Sequence, residues 1–183
     1  MKFTPTPLAG AFVVELEPQH DERGFFARFF CSREFASHGL ETRINQCNLS
    51  FNAHAGTLRG LHFQARTDPE AKLVHCVQGA LFDVIVDLRR QSPTFLRWFS
   101  AELSAENRKS LYVPAGFAHG FQTLAAGTEI LYLMSAPYRA EASRGVRWDD
   151  EAIAIRWPLA PQHMSSRDLG LPISSALDPC EFF

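Results

Sequence analysis

His119 follows Pro114 and Gly116 in the run Pro-Ala-Gly-Phe-Ala-His. Proline and glycine at this spacing shape a turn and hand the histidine to the next extended segment. An imidazole delivered in this way can do acid–base work, or it can satisfy a backbone carbonyl in a core. Lys72 and Asp83 are a second candidate pair. They lie among Val, Leu, Ile and Cys in Lys72-Leu-Val-His-Cys-Val77 and Ala80-Leu-Phe-Asp-Val-Ile-Val-Asp87, joined by Gln78-Gly79. A two-residue link carrying glycine reads as a β-hairpin. Pairing Val77 with Ala80 sets Lys72 opposite Ile85 and puts Lys72, Val74, Cys76, Leu81, Asp83, Ile85 and Asp87 on one face, with Lys72 and Asp83 as diagonal neighbours. Opposite charges on an apolar face fit a partly polar barrel interior, as a ligand pocket requires. They fit an edge strand with a surface salt bridge equally well, because alternation does not say which face is inside.

The elements that must position these residues read as β-structure. From Phe12 to Tyr132 short apolar or alternating runs are separated by Gly, Pro and Asn, the pattern of an antiparallel architecture. Strands are expected at Leu58–Gln64, Leu111–Val113, Gly120–Leu124 and Glu129–Met134, and short helices or helical turns at Ser32–His38 and Ser104–Ser110. Beyond Trp157 the chain is punctuated by Pro158, Pro161, Pro172 and Pro179. That tail is expected to wrap the barrel as irregular segments with one helical turn near Ser165–Leu169. With 183 residues and no internal repeat or linker, residues 1–183 are expected to form one domain.

Composition narrows the partner. The chain is 46% hydrophobic and 21% charged, with a net charge of −2, and it lacks the basic stripe of a nucleic-acid binder. A small molecule is the expected ligand. The N-terminal Met1–Pro7 contains no apolar run of signal-peptide length, and nothing later approaches a membrane span, so a cytoplasmic protein is expected. Cys31, Cys47, Cys76 and Cys180 form no Cys-x-x-Cys pair; buried or incidental thiols are expected rather than a disulfide framework or a zinc knuckle.

The Pro-x-Gly-x-x-His motif resembles the second signature motif of cupins. Metal-binding cupins carry an earlier motif with paired histidines and an acid, where this chain reads His62-Phe63-Gln64. An amide is a poor ligand, so acid–base chemistry without metal or other cofactor is expected. More specifically, the chain resembles the deoxythymidine-diphosphate-4-dehydrorhamnose 3,5-epimerases. The resemblance rests on Asp21-Glu-Arg-Gly-Phe-Phe26, Gln46-Cys-Asn48, Leu58–Gln64, Lys72-Leu-Val74, Asp83 within Phe-Asp-Val-Ile-Val-Asp, Ser92-Pro-Thr-Phe95, Leu103–Asn107, Pro114–Phe121, Tyr132, Tyr138, Trp148-Asp-Asp150, Ile155–Pro158 and Ser165-Ser-Arg-Asp168, in family order over about nine-tenths of the chain.

The resemblance implies a mainly β, cupin-type antiparallel barrel (jelly roll) with a few short helices, and an isomerase that inverts C3 and C5 of a nucleotide-diphosphate 4-keto-6-deoxy sugar. A ketone acidifies its neighbouring C–H groups, so inversion needs a base on one face, a stabiliser for the enolate oxygen and an acid on the other. By similarity His62 is the base, Asp168 orients it, Lys72 stands beside the C4 oxygen and Tyr132 is the acid. Arg23, Phe26, Gln46, Asn48, Arg59, His119, Tyr138 and Arg167 match substrate-contacting positions, Tyr138 being the aromatic associated with the thymine ring. A homodimer is implied, with Phe26 reaching the neighbouring subunit's site. Strict alternation sends Arg59 and His62 to opposite faces, yet the family pattern needs both at the substrate, so a bulge is expected at Gly60. The chain departs from the family at Arg28, Leu133 and Ser143; Arg28 and Ser143 stand where carboxylates are usual. A single-carbon epimerase, a non-catalytic sugar-binding cupin and a metal-dependent cupin are the alternatives.

Overall fold

The computed structural model describes residues 1–178 and 182–183; Pro179 and Cys180 lie outside the described residues. The strands are β1 (Lys2–Pro5), β2 (Phe12–Glu15), β3 (Gln19–Asp21), β4 (Gly24–Phe26), β5 (Gln46–Asn52), β6 (Leu58–Gln64), β7 (Lys72–Gln78), β8 (Ala80–Asp87), β9 (Trp98–Ser104), β10 (Lys109–Val113), β11 (Phe117–Thr123), β12 (Thr128–Met134) and β13 (Ser143–Gly145). Among the described residues helix is confined to α1 (Ser32–Ser37), α2 (Ser166–Leu169) and two 3₁₀ turns at Ala140–Ala142 and Ser174–Ala176. None of the described helices is long and apolar enough to cross a membrane.

Two antiparallel sheets make the body, in the order β1-β2-β10-β7-β12-β5 and β13-β6-β11-β8-β9. Inward-facing residues of both sheets share one apolar core. Val74, Cys76, Leu111 and Ile130 come from the six-stranded sheet, and Leu81, Ile85, Leu103 and Phe121 from the five-stranded one. The outer faces are covered as well. Phe35 of α1 and Leu40 pack on Val14, Leu73, Tyr112 and Leu133, while Val146, Ile153, Leu177 and Phe182, all beyond β13, cover Leu61, Phe63, Val84 and Val86. This is the mainly β, cupin-type jelly roll expected from the sequence, with alternation delivering one apolar face to the interior.

Two local expectations are corrected. β7 and β8 do not form a hairpin: β7 pairs with β10 and β12, and β8 with β9 and β11. Gly79, at φ +75, is a corner that moves the chain from one sheet to the other, and an added Cβ there would lie 2.5 Å from Thr128 Oγ1. Val74, Cys76, Leu81 and Ile85 still share the interior, because the corner keeps the inward parity on both sides. Lys72 and Asp83 consequently have other partners, Glu70 and His119. The segment Ser104–Ser110 is not helical. β9 ends at Ser104, a turn follows, and β10 begins at Lys109; reciprocal hydrogen bonds between Ser104 and Asn107 build that turn, which carries the same polar residues as a helix cap.

The other elements fall close to expectation. β6 spans the expected Leu58–Gln64, and α1 and α2 form where the short helices were placed. The irregularity at Gly60 is present: His119 pairs with His62 but Phe121 pairs with Arg59, so β6 spends three residues where β11 spends two. Gly60 has φ +129, and a Cβ on it would stand 2.5 Å from Gly120 Cα. Only glycine tolerates that approach.

Candidate active site

The bulge brings Arg59 and His62 to the same side of the sheet, where both line a cavity of about 300 Å³ between the sheets. The five-stranded sheet also supplies His119 and Phe121. From the six-stranded sheet come Asn48 on β5, Lys72 on β7 and Tyr132 and Met134 on β12. Their placement follows from register. Tyr132 lies opposite Asn48 and Val74, and Met134 opposite Gln46 and Lys72, so these residues form two adjacent inward rows.

His62 Nε2 is 2.7 Å from Asp168 Oδ1. Asp168 is brought there by α2, whose cap Ser165 Oγ accepts from the Asp168 backbone N–H. Burial alone would push the Asp168 carboxyl up; the His62 contact, the Gly60 N–H and Ser165 outweigh it and hold the group below its ordinary value. Asp168 is therefore an ionised acceptor behind the imidazole. The His62 side chain is 37% exposed and faces the cavity.

A second carboxylate stands behind His119. Asp83 is fully buried, and its Oδ1 is 2.7 Å from His119 Nε2. Burial pushes its carboxyl up against the opposing influence of His119. Tyr132, edge-on to the His119 ring at 6.0 Å between centroids, is raised well above an ordinary phenol by burial, with the Asp83 charge adding to the effect and Arg59 opposing it. It holds its proton throughout the physiological range, and a C–H beside a ketone is a far weaker acid still. Lys72 Nζ makes a buried ion pair with Glu70, which also lines the cavity.

Of the residues expected at the site, Asn48, Arg59, His62, Lys72, His119, Tyr132, Tyr138 and Arg167 line this one cavity, and Asp168 backs it. Gln46 stands just behind, its Oε1 accepting from the Tyr138 backbone N–H. Arg23 and Phe26 are elsewhere. They sit on the β3–β4 hairpin, the Arg23 side chain 86% exposed beside Asp21 and Phe26 78% exposed. The departures are accommodated locally: Arg28 pairs with Glu34, Leu133 is buried in an outer core, and Ser143 Oγ accepts from Arg167 Nη2 at 2.7 Å. Glu70 was not anticipated, although its position two residues before Lys72 on an extended segment puts both on one face. Cys31, Cys47 and Cys76 are free thiols. Among the described residues no three His, Cys, Asp or Glu side chains converge as a metal site would require.

Chemically, the cavity has an imidazole backed by a carboxylate on one sheet, a protonated phenol on the other, and an ammonium group and guanidinium groups around them. A flat ring held between the sheets would meet a base on one face and an acid on the other. Comparison with known proteins agrees with that arrangement. A family model described as dTDP-4-dehydrorhamnose 3,5-epimerase matches residues 5–175. The chain is 46% identical over 173 residues to a dTDP-4-dehydrorhamnose 3,5-epimerase of Sinorhizobium fredii, covering 94% of this chain and 89% of that protein. It superposes with a TM-score of 0.93 on a dTDP-6-deoxy-D-glucose-3,5-epimerase of Legionella pneumophila in complex with dTDP-4-keto-L-rhamnose, at 33% identity over 99% of this chain and 96% of that one. It is also similar to a 3′-monoepimerase of Streptomyces bikiniensis in complex with dTDP-quinovose, with a TM-score of 0.85 and 32% identity over 92% and 86% of the two chains.

Proposed function

Because the chain belongs to the dTDP-4-dehydrorhamnose 3,5-epimerase family, we propose that it inverts C3 and C5 of dTDP-4-keto-6-deoxy-D-glucose to give dTDP-4-keto-L-rhamnose. The observation that carries this reading is the placement of His62 and Tyr132 on opposite sheets around one cavity. His62, oriented by Asp168, takes the proton from the carbon beside the ketone. The electron pair moves into an enolate whose oxygen is stabilised by the Lys72 ammonium. Tyr132 then delivers a proton to the opposite face of that carbon. His62, with its partly exposed ring, returns its proton to water, Tyr132 is reprotonated, and the cycle repeats at the second carbon. The sequence of steps is redox-neutral and needs no cofactor.

Arg59 and Arg167 suit the diphosphate and Tyr138, 58% exposed at the mouth, suits the base, since guanidinium forks fit phosphates and an aromatic face fits a pyrimidine. Residues 1–183 act as one cytoplasmic domain that works as a homodimer. Arg23 and Phe26, remote from their own cavity, serve the partner's; Leu49 and Phe51, 62% and 57% exposed on edge strand β5, suit the contact between subunits. The test is incubation with dTDP-4-keto-6-deoxyglucose in deuterium oxide, followed by NMR of the sugar. Exchange with inversion at both C3 and C5 supports the double epimerase, and reaction at one carbon alone supports the second reading, a mono-epimerase like the Streptomyces bikiniensis protein. Absence of both overturns the proposal.

A further inference from the structure

His62 and His119 are cross-strand partners on β6 and β11. Each ring is held through Nε2 by a carboxylate at 2.7 Å, Asp168 for His62 and Asp83 for His119. Two His–Asp dyads thus stand side by side, and the epimerase reading assigns the carboxylate of only one. Their settings differ. The other oxygen of Asp168, Oδ2, accepts from the Gly60 N–H, whereas Asp83 Oδ2 is buried with no hydrogen-bond partner among the described residues.

A carboxylate buried and half-paired in this way costs several kcal/mol. An amide or an aliphatic side chain would fill the volume at lower cost, which points to an effect of the charge on its neighbours. Two of those neighbours belong to the site. His119 lines the cavity, and its Nδ1 makes no hydrogen bond among the described residues, so the tie at Nε2 leaves Nδ1 as the ring's free polar atom. Tyr132 lies edge-on to the same ring.

We infer that Asp83 is a positioning residue for the epimerisation: it fixes the His119 ring with Nε2 inward and Nδ1 free, and thereby sets the geometry and charge around the Tyr132 hydroxyl on the acid side of the reaction. Neither Asp83 nor His119 exchanges a proton with carbon, so the base step at His62 is independent of them. The inference rests on the epimerase reading, with His62 as base and Tyr132 as acid.

Asp83→Asn keeps the shape and an acceptor for His119 while removing the charge. It is compared with His119→Gln and the unsubstituted protein on dTDP-4-keto-6-deoxyglucose in deuterium oxide, with exchange, inversion and melting temperature followed separately. Asp83→Asn is expected to melt at or above the unsubstituted protein, because a half-paired buried carboxylate is gone. Its kcat for inversion should fall about 10- to 100-fold, the range for lost supporting contacts, with KM moving less than about threefold. Deuterium wash-in should persist, so the ratio of exchange to inversion rises. His119→Gln should raise the same ratio, and the double variant should be no slower than the slower single one. Inversion within about twofold of the unsubstituted rate in either variant, or equal loss of exchange and inversion, overturns the inference. So does an Asp83→Asn protein that fails to fold, since Asp83 would then be a structural group. An unsubstituted protein that neither exchanges nor inverts overturns the epimerase reading itself, a result distinct from these.

Discussion

The five-stranded wall of the cavity holds its imidazoles by carboxylates placed behind them, Asp168 behind His62 and Asp83 behind His119. The six-stranded wall presents a phenol, an amide and an ammonium group, and of these Lys72 has a carboxylate partner, Glu70, in the same layer. The difference matches the work proposed for each. A base must be oriented and its conjugate acid stabilised, which a buried ionised acceptor does. An acid must keep its proton until a carbanion forms, which burial and nearby negative charge achieve at Tyr132. The walls are thus distinguished by what lies behind the side chains, since both present polar groups to the cavity.

Removing the base should break the comparison most severely. His62→Asn is expected to lose exchange and inversion together, by about 10²- to 10⁴-fold, as for general bases elsewhere; NMR in deuterium oxide reads both. Retained wash-in would move the base to another residue. Next in size, Lys72→Ala should slow exchange and inversion together by about a hundredfold, as loss of an oxyanion donor does. It also strands the buried Glu70 carboxylate and should cost about 3 kcal/mol of stability. Adding Glu70→Gln should recover stability in denaturant titration without recovering turnover.

The smallest effect is one of stability. Asp168 is held below its ordinary value in the folded chain, so its contribution is full above the unfolded carboxyl's pKa of about 4 and is lost as pH falls through the depressed folded value. Asp168→Asn should therefore lower unfolding free energy at pH 7 by about 1–3 kcal/mol, and the gap to the unsubstituted protein should close in acid. A gap that is constant with pH would mean that the loss comes from packing.

Much of this was legible in the sequence where alternation and motif agree. The bounds of β6 followed from its apolar pattern, and the need for a bulge at Gly60 from the conflict between strict alternation and a family pattern that sends both Arg59 and His62 to the substrate. The Lys72–Asp87 region was misread because a glycine link joins a hairpin and a corner between sheets with the same residues; Thr128, packed against Gly79 from a distant strand, decides between them. Alternation put Asp83 on one face with Val74 and Ile85 without saying whether that face was inside; its partner lies 36 residues away on β11, and pairing across non-adjacent segments leaves no local trace. Arg23 and Phe26 match family positions, yet a single chain leaves them exposed.

The most direct test of the two-wall division is Tyr132→Phe, which keeps the ring and removes only the hydroxyl. In deuterium oxide on dTDP-4-keto-6-deoxyglucose, deuterium wash-in should continue while inversion falls by about a hundredfold or more, because His62 can still abstract and return a proton on its own face. Inversion at the unsubstituted rate would contradict the division and move the acid to Tyr138 or a bound water.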